Sequence, residues 1–155
     1  MKQLVVTMLS IMLFGVATLS QASEPTPPLM TLKQQYIKKY KQLLPKVAVA
    51  DMFYGCTVAT APKTEVQAID NLVKMDKNAL ATKLMSCLKE HSLQSDTALN
   101  YGLVGCFHSQ MQHLDKATYV KKMANVNQLL TTLSKPERQK SFAQCVSQQT
   151  IHFLN

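Results

Sequence analysis

The chain of 155 residues contains no tryptophan, only four glycines, and a single arginine among its 17 basic residues. So few glycines leave little room for a backbone that curls around a phosphate, and no glycine-rich phosphate loop is present. One arginine argues against nucleic-acid recognition, because the planar guanidinium fork that reads phosphates and bases is almost missing. Lysine, which supplies nearly all the positive charge, is a hydrated point charge suited to a solvated surface. Acids are scarce too. The nine Asp and Glu residues are scattered singly, so the sequence places no carboxylate pair for glycosidic chemistry. The strings GxSxG and HExxH do not occur. No alternating run is long enough to signal a strand, and beyond residue 22 nothing reaches the roughly 18 to 20 apolar residues of a membrane span. The expectation is a protein that is not an enzyme, holds no cofactor and binds no nucleic acid.

What is present starts with export. Lys2 precedes the apolar run "LVVTMLSIMLFGVATL", and Ser20-Gln21-Ala22 supplies a small-residue cleavage pattern. Residues 1–22 therefore read as a secretory signal peptide cut after Ala22, which makes the mature chain periplasmic or secreted. The segment "SEPTPP" (23–28) reads as a proline-rich linker. Residues 29–155 then form one helical domain, long enough to bury a core of its own.

Apolar residues Leu29, Leu32, Tyr36, Tyr40, Leu43 and Val47 recur at three- and four-residue steps, predicting an amphipathic first helix that Pro45 ends. A second helix is expected over 46–60, a third over 64–75 and a fourth over 77–91. Ser95 can cap a fifth reaching about 114, and Asp115 a sixth reaching about 133. "SKPE" (134–137) has the form of a capping box that opens a seventh. The fold class is all-α, a single-domain bundle of six or seven helices.

The four cysteines, Cys56, Cys87, Cys106 and Cys145, are an even set in an exported chain and are expected to pair. They fall in a weak repeat. Leu80, Leu84, Cys87 and Leu88 share their spacing with Leu99, Leu103, Cys106 and Phe107, and with Val49, Phe53, Cys56 and Thr57, while Phe142, Cys145 and Val146 keep most of it. At 100° per residue each cysteine lies in the apolar stripe of its helix. Cys56 and Cys87 sit at similar depths in helices separated by a third, so an up-down-up path would bring them level. Cys106 and Cys145 repeat that relation. In an antiparallel hairpin the residue level with Cys87 is near Asn100, which disfavours a bond from Cys87 to Cys106. The predicted bridges are Cys56 with Cys87 and Cys106 with Cys145.

The stretch "CFHSQMQH" (106–113) gathers soft ligands, but on a helix His108 and Met111 face away from Cys106 and His113. The four cannot converge on one ion, and a disulfide sulfur is not a thiolate ligand. No metal site is predicted. His108 with Met111, and to a lesser degree His113, are the residues that would hold copper if one existed. Otherwise His108 is expected at the surface and His113 at the edge of the core. His91, four residues after Cys87, could serve as a base beside a thiol, but with Cys87 paired it reads as an imidazole favourable beside the carbonyls of a last helical turn.

The one charge feature is "LKQQYIKKYKQLLPK", carrying Lys33, Lys38, Lys39, Lys41 and Lys46 with no acid between Glu24 and Asp51. Four of these lysines fan over the face opposite Leu32, Tyr36, Tyr40 and Leu43, with Lys33 at the apolar edge. They are the candidate partner-binding residues, for an acidic protein first and, more weakly, for anionic membrane or cell-wall surface. Met30, Met52, Met75, Met85, Met111 and Met123 suit adaptable core packing, or the lining of a client groove. The functional expectation is an exported non-enzymatic binding protein, such as an inhibitor or immunity factor acting through a protein surface. An envelope chaperone and a copper-handling protein are the alternatives.

Overall fold

The computed structural model describes residues 27–61 and 66–155, with side chains from Thr31 onward. The expected signal peptide, most of the expected linker and the start of the expected third helix lie outside these residues. Six helices are present: α1 (Pro27–Thr60), α2 (Ile69–Lys74), α3 (Lys77–Leu88), α4 (Asp96–Met111), α5 (Lys116–Thr132) and α6 (Lys135–Leu154). The all-α bundle is as the sequence predicts, with no strand among the described residues.

Several boundaries differ. The chain does not break at Pro45, so the first and second expected helices are one helix of 34 residues. An interior proline removes one backbone bond and costs about 3 kcal/mol. Here residues on both sides of it, Leu43, Leu44, Val47 and Ala50, enter the same core cluster, and that shared burial outweighs the local cost. Pro27 and Pro28, expected in the linker, instead begin α1, where a missing N–H is harmless. The third expected helix shortens to the six residues of α2.

Caps fix the other starts. Asp76 accepts from the Asn78 and Ala79 amides at 2.9 and 3.0 Å, Ser95 from Ala98 at 3.1 Å, and Asp115 from Thr118 at 3.0 Å. Glu137 reaches back to accept from both the amide and the hydroxyl of Ser134, at 2.8 and 2.6 Å.

The bundle is built as two similar halves. Both predicted disulfides are present, Cys56–Cys87 and Cys106–Cys145, each with Cα atoms 6.2 Å apart. Within the first half α1 and α3 run parallel: the Lys83 amine stands 6.0 Å from the Phe53 ring centre, in register with the disulfide further along. In the second half α4 and α6 run parallel, from Asn100 beside Arg138 through Cys106 beside Cys145 to Ser109 beside Gln149. Sequence separations of 31 and 39 residues make each bridge worth roughly 3 to 4 kcal/mol in the chain-entropy account.

The halves meet where α1 and α4 cross in antiparallel sense. A Cβ on Gly55 would lie 2.1 Å from the Tyr101 carbonyl oxygen, and a Cβ on Gly105 would lie 2.1 Å from that of Asp51. Each glycine thus receives the backbone one turn before the other, and the two helices touch main chain to main chain. The repeated dipeptide Gly55-Cys56 and Gly105-Cys106 is where close approach and crosslink coincide. Leu72, Leu80, Leu103, Val47 and Cys106 are sealed around this crossing. The lone arginine, Arg138, is buried and spans Asn100 (2.6 Å) and Asp96 (3.2 Å), one turn apart on α4, which sets the register of α6.

Gly105→Ala should destabilise the protein by about 3 kcal/mol in urea unfolding, although alanine is the better helix former, because backbone cannot yield as a side-chain tip can. Pro45→Ala should do the reverse and raise stability by about 2 kcal/mol, since the helix is already continuous there.

Candidate functional site

A groove of about 460 Å³ runs between α1 and α6, within the size range of ligand-binding clefts. Tyr40, Leu44, Ala48 and Met52, at helical spacing, form one wall; Phe142, Ala143 and Val146 form the other; Leu99 closes the base. Its surface is mostly apolar. The Tyr40 hydroxyl meets the Ser147 hydroxyl at 2.9 Å and ties the two walls. Leu93 remains 47% exposed at the rim.

Toward its N-terminus α1 extends past the bundle. Its apolar stripe, covered from Leu43 onward by core contacts, continues outward uncovered: Leu32 is 63% exposed, Tyr36 45% and Ile37 41%. Lys33, Lys38, Lys39 and Lys41 are exposed on the same arm, while Lys46 is half-buried and lies near Asp76. None of the five lysines forms an ion pair among the described residues; the ion pairs present join Lys135 and Arg138 to Asp96. None of these lysines lines the groove: Lys33 lies at the edge of the uncovered stripe, while Lys39 and Lys46 line a separate cleft with Gln42, Leu43 and Leu154. The groove itself was not foreseen, because its walls come from helices about a hundred residues apart.

The histidines are placed opposite to expectation. His108 is half-buried, stacked on Tyr54 with ring centres 4.3 Å apart, and its Nδ1 is 2.7 Å from the Tyr119 hydroxyl. His113 is exposed, because α4 ends at Met111 and the chain turns away from the core. The reason lies in α5, which packs over the outer face of α4 and covers His108. Burial lowers the His108 pKa from its ordinary value. Burial, with the neighbouring Tyr119 charge second, pushes Tyr54 up to about 12. His108 is thus held by two tyrosines, and among the described residues no group of three or more His, Cys, Asp or Glu side chains could hold a metal. His91 also departs from expectation: α3 ends at Leu88, so His91 lies past the helix in a turn, donating its amide to the Leu88 carbonyl. Of the methionines, Met52 lines the groove, Met75 packs against the core, Met123 lines a cleft beside His108 and Met85 is 47% exposed.

Asp51 escaped sequence reasoning. It is fully buried at the junction of α1, α4 and α6, its main chain against Gly105 and its Oδ1 accepting from Gln149 Nε2 at 3.2 Å. Gln149 Nε2 also donates to Ser109 Oγ at 3.0 Å, and Gln149 Oε1 rests 3.1 Å from Cys106 Sγ. That sulfur is in a disulfide and carries no proton, so the last contact is not a hydrogen bond. Asp51 Oδ2 has no hydrogen-bond partner among the described residues. Desolvation raises the Asp51 pKa well above the usual carboxylate value, against a smaller lowering from Gln149.

Comparison with protein-family models, with curated proteins and with solved structures finds no match to this chain.

Asp51 and the half-buried His108 change stability with pH in opposite senses. With the folded pKa of Asp51 above the unfolded value, the folded state holds more protons, so its stability contribution is full below about pH 3.8 and is lost as pH rises. For His108, lowered from 6.5, the unfolded state holds more protons, so stability falls as pH drops through about 6.5. Asp51→Asn should therefore stabilise by about 1 to 3 kcal/mol near neutral pH, with the margin shrinking toward about pH 4, as read by unfolding curves across pH.

Proposed function

We propose that this chain is an exported, non-enzymatic binding protein, an inhibitor or immunity factor that seats an apolar segment of an acidic protein partner in the α1–α6 groove. One observation carries this reading: the open groove lies beside an uncovered apolar stripe, on an arm of α1 whose exposed Lys33, Lys38, Lys39 and Lys41 form no ion pair among the described residues. Monomeric proteins rarely leave such a surface contiguous without use. The apolar part supplies the affinity by desolvation. The lysines supply attraction over a distance and reject basic competitors.

Export is supported by the N-terminal pattern of Lys2, apolar run and Ser20-Gln21-Ala22, and by the pairing of all four cysteines, which fits an oxidising compartment. No described helix is long and apolar enough to cross a membrane. A second copy of the chain is a poor occupant, since two arms with like charge would repel. An acidic protein surface has the complementary sign, and its apolar anchors would also cover the 47% exposed Leu93.

Immobilised full-length protein, exposed to envelope extract at low and high salt, is expected to retain an acidic protein saturably. Ala143→Arg fills the groove from an exposed position and should weaken retention about tenfold or more. Replacing Lys33, Lys38, Lys39 and Lys41 with Gln should slow association and flatten its salt dependence. Identical retention by all three proteins, or binding only to anionic vesicles or cell-wall polymer, would overturn the proposal.

A further inference from the structure

The two halves treat their disulfides differently. Cys106 and Cys145 are 0% and 4% exposed, and Cys56 is 0% exposed. Cys87 alone is partly open, and it lines a cleft of about 340 Å³ with Thr60, Leu88, Lys89, Glu90, His91 and Tyr101. The Thr60 hydroxyl oxygen is 3.6 Å from Cys87 Sγ while it donates to the Cys56 carbonyl at 2.8 Å. The outer side of that sulfur therefore meets a hydroxyl and an open cleft instead of packed side chains.

The local chain makes this opening. Helix α3 stops at Leu88, and Lys89 takes φ 54°, a left-handed value that side-chain-bearing residues seldom adopt. It is the one residue with positive φ among the described residues. The turn carries Lys89, Glu90 and His91 around the mouth of the cleft, where the helix foreseen in the sequence would have continued over it.

We infer that the Cys56–Cys87 bond is a thiol–disulfide exchange site for low-molecular-weight thiols, with Cys87 as the sulfur attacked, while Cys106–Cys145 is a sealed structural bond. The incoming thiol loses its proton to solvent, and its thiolate attacks Cys87 Sγ. A new S–S bond to Cys87 forms as the Cys87–Cys56 bond breaks, and the electron pair leaves with Cys56, which takes a proton and stays buried as a thiol. A second thiolate attacks the sulfur of the small thiol in this mixed disulfide. It releases Cys87, which is protonated in turn, and the small thiol departs as its own disulfide. Two small thiols are oxidised and two cysteines reduced. Lys89 favours the approach of thiolate and Glu90 opposes it. The exchange unlinks α3 from α1 and leaves α4 linked to α6, so the first half of the fold answers to the thiol poise of its surroundings.

The sealed half serves as an internal control. Folded protein is incubated with reduced glutathione, quenched in acid, freed of glutathione, alkylated with iodoacetamide in denaturant and mapped by peptide mass. Cys56 and Cys87 should be released at least about ten times faster than Cys106 and Cys145, with the glutathione adduct on Cys87. In denaturant the two bonds should open at similar rates, since the difference resides in the fold. Equal opening rates in the folded protein, earlier opening of Cys106–Cys145, an adduct on Cys56, or a rate difference that persists in denaturant would overturn the inference.

Discussion

Everything else in this protein is arranged around the contact of α1 and α4. Two glycines, Gly55 and Gly105, each accept a carbonyl from the opposite helix where a Cβ would otherwise stand. Backbones this close leave no depth for large side chains between them, so the core divides to either side of the crossing. One cluster gathers Val47, Leu72, Leu80, Leu103 and Val146; the other gathers Cys56, Leu84, Leu88 and Ala98. The disulfides then attach one flanking helix to each member of the central pair, α3 to α1 and α6 to α4. Asp51 stands at the same junction. It is held there with one carboxylate oxygen unpartnered, a cost that the surrounding packing and crosslinks offset.

This plan leaves two surfaces unfinished. The central helix α1 is longer than the elements that cover it, so its N-terminal turns project with Leu32, Tyr36 and Ile37 exposed. Beside it α6 and α1 diverge enough to leave the groove floored by Leu99 and rimmed by Leu93. The groove and the lysine-bearing arm share α1, and that supports a reading in terms of binding. The half-buried His108 is committed to Tyr54 and Tyr119, and Asp51 is sealed from solvent.

Several features were legible from residue order because they depend on local chemistry. Ser95, Asp115 and Glu137 cap the helices expected of them, since a cap needs only a side chain within three residues of an amide. The cysteine pairing was legible in part because helical periodicity sets each sulfur in the apolar stripe of its helix, although the depth assigned to Cys56 rested on a break at Pro45 that does not occur. Pro45 misled for the complementary reason: its local cost is real, yet long-range burial on both sides exceeds it. His108 and His113 exchanged places because α5 covers the former, and nothing in the residues 106–113 encodes what packs over them.

The sequence by itself determined an all-α chain of capped amphipathic helices, two crosslinks at fixed heights and a lysine face on the first helix, because each follows from a period, a cap or a charge read within one segment. The tertiary structure alone decided the glycine crossing, the burial of Asp51, the groove between α1 and α6 and the unequal exposure of the two disulfides. Those properties arise where residues many turns apart share a volume, and the distance between helices is set by the least bulky pair in contact. No single helix carries that information.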